Sequence, residues 1–275
     1  HRKMTQTVQY KHYKIKYYLE GQGDLLLFLH GWPVNASLWQ DQVEIFKKNH
    51  RVLTFDWLGF GASDHPIDNE YTFSQQKEIL DVLLAEIMQK KETITIIAHD
   101  IGGPPAILWA HQNQARVQRL ILLNTVLFPF STPLDKISHT LFRLPIIKAI
   151  VASPFGLNLV MQTISKKRNK TTWNNYKQIL RQNQHIPNKV KLKTILYPLE
   201  QAKKNEFLNL ADLYKTLDID RYIILAKHDP LCFAHIKKLT EENPEVPHYL
   251  IENCGHFIPL EKPDELNVQL KSILI

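Results

Sequence analysis

The chain has 275 residues, of which 44% are hydrophobic and 22% are charged, and its formal net charge is +7 at neutral pH. This length suits one large domain or a domain with an insert, because single hydrophobic cores stop growing near about 250–300 residues. The apolar content excludes a disordered chain. Apolar runs such as Leu25–Leu29 are far shorter than the ~20 residues of a membrane-spanning helix, so we expect no membrane span.

The two cysteines, Cys232 and Cys254, are too few for a disulfide scaffold and favour a reducing compartment. Polar residues follow Arg2 and Lys3, so the sequence predicts no signal peptide and a cytoplasmic protein. No spacing of Cys and His is typical of a zinc site, so we expect no metal.

The elements predicted before residue 131 alternate between strands and helices. Residues 15–19 alternate in polarity, which predicts antiparallel edge strands, whereas Leu25–Leu29 is apolar throughout, as in a strand buried on both faces. The following predicted elements are helix Ser37–Lys48, strand Arg51–Phe55, helix Ser74–Gln89, strand Thr93–Ala98, helix Gly103–His111 and strand Arg119–Leu123.

The same alternation resumes near the end of the chain. The predicted elements there are strand Tyr222–Ala226, helix Phe233–Glu242, strand His248–Ile251 and helix Asp264–Ile273. Alternation of this kind predicts a mostly parallel sheet covered by helices on both faces.

Residues 131–217 interrupt the alternation and contain only helical patterns. They carry 15 Lys and Arg against 4 Asp and Glu, whereas the rest of the chain has a net negative charge. A solvated basic surface is one interpretation, and attraction of an anionic substrate or an anionic surface is the other. No nucleic-acid-binding motif accompanies the basic run 166–170, so we expect no nucleic-acid partner.

Four short motifs follow directly after predicted strands, where reactive groups collect in an open α/β sheet. Six of only nine glycines lie in them, which indicates that backbone geometry requires glycine there. The motifs are His30-Gly31-Trp32-Pro33, the run 56–64, the run Ala98-His99-Asp100-Ile101-Gly102-Gly103, and Asn253-Cys254-Gly255-His256-Phe257.

Together these motifs resemble the α/β-hydrolase fold, specifically its branch with an aspartate nucleophile, which includes epoxide hydrolases and haloalkane dehalogenases. The resemblance covers roughly residues 25–123 and 221–275. It implies a mostly parallel central sheet with helices on both faces, a core of residues 1–130 and 218–275, and an inserted helical lid over residues 131–217.

Asp100 occupies the position at which this fold holds its nucleophile, on a sharp turn between strand and helix. Ala98, Gly102 and Gly103 supply the small neighbours that such a turn needs. A carboxylate is nucleophilic at neutral pH without a general base, so it can displace a leaving group from an sp³ carbon and form an alkyl ester.

The resemblance also implies the residues that hydrolyse this ester. His256 would activate water, and Asp229 would orient the imidazole and stabilise its protonated form. The backbone N–H groups of Trp32 and Ile101 would form the oxyanion hole. No metal or organic cofactor is needed for these steps.

Dehalogenation is one alternative. Haloalkane dehalogenases commonly place a Trp directly after the nucleophile to hold the halide, and one subgroup has Asn after His-Gly; here these positions are Ile101 and Trp32. Fluoroacetate dehalogenases carry Arg directly after the nucleophile, whereas this chain has Ile101 there, which argues against that activity. The run 124–129 also resembles mesoderm-specific-transcript-type hydrolases, whose substrate the residues do not reveal.

Epoxide hydrolases need phenol donors from the lid, because the epoxide oxygen leaves as an alkoxide. Tyr197 lies near the position of the second lid tyrosine, and Tyr176 is a weaker candidate for the first. We therefore predict an epoxide hydrolase-like enzyme acting on a lipophilic small molecule, with an inactive binding protein of the same fold as a third hypothesis. The predicted pocket is lined by Trp32, Trp57, Ile101, Phe128 and Phe257.

Overall fold

The computed structural model describes residues 5–127, 144–166, 169–201 and 206–275. Eight strands of these ranges form one sheet in the order β1-β2-β4-β3-β5-β6-β7-β8. The strands are β1 (Thr5–Tyr10), β2 (Tyr13–Glu20), β3 (Leu25–Leu29), β4 (Arg51–Phe55), β5 (Ile94–His99), β6 (Val117–Leu123), β7 (Asp220–Ala226) and β8 (His248–Ile251).

Strands β3 to β8 run parallel, while β1 and β2 pair antiparallel at one edge, as the sequence predicts. Strand β3 explains why an apolar run without alternation forms a strand. Leu25, Leu27 and Leu29 enter one hydrophobic cluster, whereas Leu26 and Phe28 enter a second cluster on the opposite face. Both faces are therefore buried.

Helices cover the two faces of the sheet. The helices outside the β6–β7 connection are α1 (Gln40–Phe46), α2 (Phe73–Ile87), α3 (Gly103–Gln112), α9 (Phe233–Glu242), α10 (Ile258–Glu261) and α11 (Pro263–Leu274). The predicted helix Ser37–Lys48 differs in its first turn, which is a 3-10 turn from Ala36 to Trp39 capped by the side chain of Asn35. The other predicted helices agree with the structure to within two residues.

Five helices occupy the described parts of the β6–β7 connection, and we call them the helical insert. They are α4 (Pro145–Ala152), α5 (Pro154–Ile164), α6 (Lys170–Gln182), α7 (Asn188–Gln201) and α8 (Glu206–Lys215). Helix α6 packs against α10, directly after the motif with His256, whereas α8 packs against α3 beside the sheet. The predicted lid segment, residues 131–217, thus includes α8, a helix that packs beside the sheet.

Within the described ranges, no single helix has the length and apolar content to cross a membrane. Helices α4 and α5 reach that length and composition only as a pair, with a bend of 83° between them.

Candidate active site

The carboxyl ends of β3, β5, β7 and β8 bring the predicted motifs to one edge of the sheet. Asp100 follows β5 directly and adopts a left-handed conformation with φ of 53°. A β-carbon makes this conformation costly, so it persists only where the surrounding structure enforces it. The turn aims the Asp100 side chain at the loop after β3.

Glycine is needed where this turn meets its neighbours. A Cβ atom on Gly31 would lie 2.3 Å from Asp100 Oδ2, and one on Gly103 would lie 2.1 Å from Thr125 Oγ1. The same Thr125 hydroxyl donates a hydrogen bond of 2.7 Å to the carbonyl of Asp100. The predicted role of Gly103 thus has a physical reason, since any larger residue would displace the threonine that fixes the turn.

Asp100 is almost fully buried, and its carboxylate is held by backbone donors. The Trp32 N–H donates to Asp100 Oδ2 over 2.8 Å. Burial raises the pKa of Asp100, while the positive charge of His256 and the backbone N–H groups of Trp32 and Ile101 oppose that rise. The two predicted oxyanion-hole groups therefore both act on the carboxyl group of Asp100.

His256 lies between two carboxylates. Its Nδ1 is 2.9 Å from Asp229 Oδ2, and its Nε2 is 4.0 Å from Asp100 Oδ2. The other oxygen of Asp229 accepts from the N–H groups of Leu231 and Cys232, at 2.8 and 3.1 Å. Asp229 is thus fixed by backbone donors, and it in turn fixes the imidazole ring.

The charges of this triad depend on one another. Burial alone would lower the pKa of His256, but the charges of Asp229 and Asp100 outweigh it and raise the pKa to about 9. For Asp229, burial raises the pKa, whereas the charge and hydrogen bond of His256 lower it, and the net shift is downward. Near neutral pH these shifts favour a protonated His256 paired with the Asp229 carboxylate.

Two buried histidines support the site from behind. His99 Nε2 lies 2.8 Å from the carbonyl of His256, and His30 Nε2 accepts from the Trp57 N–H over 3.3 Å. Burial lowers the pKa of His30 to about 4 and that of His99 to about 3. Both rings are therefore neutral hydrogen-bonding groups at neutral pH.

Glu261 holds the loop that carries His256, a role that no motif in the sequence indicates. Its buried carboxylate accepts from the N–H groups of Gly255 (2.9 Å), Phe257 (3.2 Å) and Lys166 (2.8 Å). It also contributes to the raised pKa of His256. Only its position five residues after the histidine could have pointed to it, and that signal does not distinguish it from a surface glutamate of a C-terminal helix.

Asp229, Cys232 and His256 also place potential metal-ligand atoms within 4.8 Å of one another. The Asp229 oxygens already accept from two backbone N–H groups and meet His256 Nδ1. Hydrogen bonds thus account for the contacts of Asp229 with His256 and with the backbone, and these contacts hold the histidine.

Two small cavities, each of about 20 Å³, are lined by residues whose backbone N–H groups act on Asp100: Ile101 lines one and Trp32 the other. The first includes Trp57 and Ile101 in its walls, together with Phe73 from α2 and Thr194 from α7. The second includes Trp32, together with Leu157 from α5 and Lys191 from α7. Residues of the helical insert therefore form part of the walls of both cavities.

The predicted aromatic residues have different surroundings. Tyr197 packs edge-on against Phe73 at 5.1 Å between ring centroids, on the helix that also presents Thr194 to the first cavity. Tyr176 is fully buried, and its hydroxyl is bonded to Ser165 (2.8 Å) and Glu261 (3.3 Å). The structure thus packs Tyr197 against a wall residue of the first cavity and places Tyr176 beside Glu261, which holds the histidine loop.

Phe257 packs against the His256 ring at 4.8 Å and against the Tyr176 ring at 5.4 Å, and it lines neither small cavity. Phe128 lies outside the described residues. The predicted substrate contacts of both residues stay predictions.

Comparison with known proteins agrees with the sheet topology and with the positions of the motifs. The model of the alpha/beta hydrolase fold family matches residues 24–263. A cis-3-alkyl-4-alkyloxetan-2-one decarboxylase from Shewanella oneidensis is 27% identical over 280 residues, covering 95% of this chain and 85% of that protein. A soluble epoxide hydrolase from Corynebacterium sp. strain C12 is 25% identical over 271 residues, covering 91% and 90%.

A solved structure shows the same fold: the haloalkane dehalogenase DatA from Agrobacterium tumefaciens C58 matches with a TM-score of 0.80 and 22% identity, covering 98% of this chain and 95% of that one. The mostly parallel sheet, the covering helices and the match over most of the chain lead to one conclusion. The protein belongs to the alpha/beta hydrolase fold family and is a hydrolase related to epoxide hydrolases and haloalkane dehalogenases.

Proposed function

We propose that this hydrolase uses Asp100 as a nucleophile and opens epoxides of lipophilic small molecules through an alkyl ester. The observation that carries this proposal is the pairing of His256 Nδ1 with Asp229 while its Nε2 stands 4.0 Å from Asp100. A serine nucleophile would need a direct hydrogen bond to its base, but a carboxylate needs none. The gap leaves Nε2 free to act on water.

In the first step, an Asp100 oxygen attacks an epoxide carbon. A carbon–oxygen bond forms to Asp100, the ring carbon–oxygen bond breaks, and the ring oxygen takes a proton from an acid in the lid. Tyr197 is our candidate acid, because it lies on the face of α7 that presents Thr194 and Pro198 to the cavity with Ile101. The helical insert then acts as the predicted lid.

In the second step, water attacks the carboxyl carbon of the ester. His256 takes a proton from this water, and the developing oxyanion on Asp100 is stabilised by the N–H groups of Trp32 and Ile101. The bond between Asp100 and the substrate carbon breaks, and the diol leaves. The negative charge of Asp100 is one cause of the raised pKa of His256. Ester formation removes this charge, so the pKa of His256 falls. The imidazole therefore becomes neutral when a base is required.

Haloalkane turnover has less support. Ile101 offers no side-chain donor to a halide, and the indole N–H of Trp57 donates to the carbonyl of His30 over 2.9 Å. A halide at this site would therefore lack a donor from position 101 and from the indole of Trp57.

A strained lactone is a second candidate substrate, suggested by the similarity to the oxetan-2-one decarboxylase over 95% of the chain. Attack at the sp³ ring carbon of such a lactone releases a carboxylate, which needs no proton. This chemistry would not require a second lid phenol, and the hydroxyl of Tyr176 is already bonded to Ser165 and Glu261.

A trapping experiment tests the proposal. The His256→Gln variant, incubated with styrene oxide, should accumulate one covalent adduct on the peptide that contains Asp100, detected by mass spectrometry. The Asp100→Asn variant is the matched control and should carry none. No adduct across a panel of epoxides, lactones and bromoalkanes would favour the binding-protein hypothesis instead.

A further inference from the structure

A basic groove crosses the surface of the helical insert between α5, α6 and α7. Its volume is about 320 Å³. The lining residues are Pro154, Phe155, Leu157, Asn158, Lys177, Leu180, Arg181, Gln184 and Lys191.

The lining combines apolar surface with positive charge. Lys177, Arg181 and Lys191 are cationic, and this lining includes no Asp or Glu. Phe155, Leu157 and Leu180 supply apolar walls. A groove with this composition fits an amphiphile, with an alkyl portion on the apolar walls and an anionic group near the cations.

Lys191 differs from the two other cations of the groove because it is buried, with 8% of its surface exposed. Its backbone N–H bonds to the Pro187 carbonyl, and its own carbonyl accepts from Thr194. Among the described residues, its ammonium group has no hydrogen bond or ion pair. Burial lowers the pKa of Lys191. The side chain is thus largely buried in the wall of the groove, where an anionic ligand would pair with its ammonium group.

Lys191 also connects the groove to the site. Together with Leu157, it lines both the groove and the small cavity that includes Trp32. Trp32 donates its N–H to Asp100 Oδ2. Lys191 and Leu157 thus form a shared wall between the groove and the cavity beside Trp32.

We propose that Lys191 is a substrate-binding residue that pairs with an anionic group of the substrate, so that the enzyme acts on amphiphilic cyclic ethers carrying a carboxylate. This inference rests on the proposed role of Asp100 for its catalytic part. Lys177 and Arg181, at the exposed part of the groove, attract the same group during entry. The basic charge of the insert then has a function beyond solvation.

The test compares two matched substrates, a ten-carbon carboxylic acid with a terminal epoxide and its uncharged primary amide. The wild-type enzyme should have the higher kcat/KM on the acid. Lys191→Met should lower kcat/KM on the acid, through KM, at least tenfold more than it lowers kcat/KM on the amide. Lys189→Met is the matched control, because Lys189 is exposed on the same helix and lines neither cavity. Lys191→Arg should retain part of the preference.

Binding of saturated decanoate, measured by calorimetry, separates this inference from the proposed reaction. Lys191-dependent decanoate binding without any epoxide turnover would support the subsite and contradict the role of Asp100. Equal turnover of acid and amide, unaffected by Lys191→Met, would overturn the subsite. Equal losses on both substrates together with a lowered Tm would also overturn it, since a purely structural lysine predicts that result.

Discussion

His256 Nε2 lies 4.0 Å from Asp100 Oδ2, beyond hydrogen-bonding distance, while the opposite nitrogen of the ring is paired with Asp229 at 2.9 Å. The histidine is thus oriented by one carboxylate and only electrostatically coupled to the other. This asymmetry suits a reaction in which the histidine acts on water after the nucleophile has already reacted.

The first prediction concerns the pKa of His256. Asp100→Asn removes the charge that an ester would also remove, so the pKa of His256 should fall below its value of about 9. NMR titration of the imidazole in both proteins measures this change. In the wild type, single-turnover decay of the ester should follow the lower pKa, because the ester resembles the variant. An unchanged pKa in Asp100→Asn would contradict the proposed switch.

Tyr197→Phe tests the acid in ring opening. Removing the phenol should slow ester formation from an epoxide by about 10²–10⁴-fold, the usual contribution of a general acid. Turnover of a β-lactone should change little, because its leaving carboxylate needs no proton. Tyr176→Phe is the comparison, and we expect it to lower stability more than ring opening, because its hydroxyl bonds to Ser165 and Glu261. Equal epoxide turnover in Tyr197→Phe and wild type would exclude Tyr197 as the acid.

Glu261→Gln tests the support of the histidine loop. In the wild type, backbone N–H groups donate to the Glu261 carboxylate. The side-chain NH₂ of the glutamine cannot accept these hydrogen bonds, so the free energy of unfolding should fall by about 2–4 kcal/mol. The turnover rate should fall as well, because Gly255 and Phe257 flank the histidine. Glu265→Gln, at an exposed position beside Lys262, is the control and should change neither quantity. Denaturant unfolding and kcat measure the two effects.

Acid should destabilise the fold through His30 and His99. Their pKa values are about 4 and about 3 in the folded protein, whereas an unfolded histidine titrates near 6.5. The unfolded state therefore binds more protons below pH 6.5, and stability falls from there to pH 4 by roughly 3 kcal/mol per histidine. Urea unfolding at pH 7 and pH 4.5 should show a smaller loss in His30→Gln than in wild type. Equal losses would show that His30 does not contribute.

The sequence predicts the strands and the motif positions well because they depend on local patterns. The apolar run Leu25–Leu29 and the strand His248–Ile251 match the structure to the residue, and the turn at Asp100, our proposed nucleophile, follows from a short glycine-rich pattern. Contacts between distant parts of the chain are not encoded in such patterns. For this reason Glu261, which bonds to Lys166 across 95 positions, was missed.

Tyr176 is a second example of a contact that local sequence patterns do not reveal. The sequence offers Tyr176 only as a weak candidate for the first lid phenol, on its approximate position alone. Whether its hydroxyl enters the pocket depends on the rotation of α6, and here that helix packs against α10 and directs the hydroxyl to Glu261. Lys191 was not singled out because one lysine in a basic segment carries no sequence signal of burial.

The central claim is that Asp100 itself donates an oxygen to the product. A single turnover of an epoxide by excess enzyme in H₂¹⁸O tests it most directly. The account predicts a diol without ¹⁸O and one ¹⁸O atom in the Asp100 carboxylate, because water attacks the carboxyl carbon. A diol that contains ¹⁸O, with an unlabelled Asp100 peptide, would mean that water attacks the substrate directly and would contradict the ester mechanism.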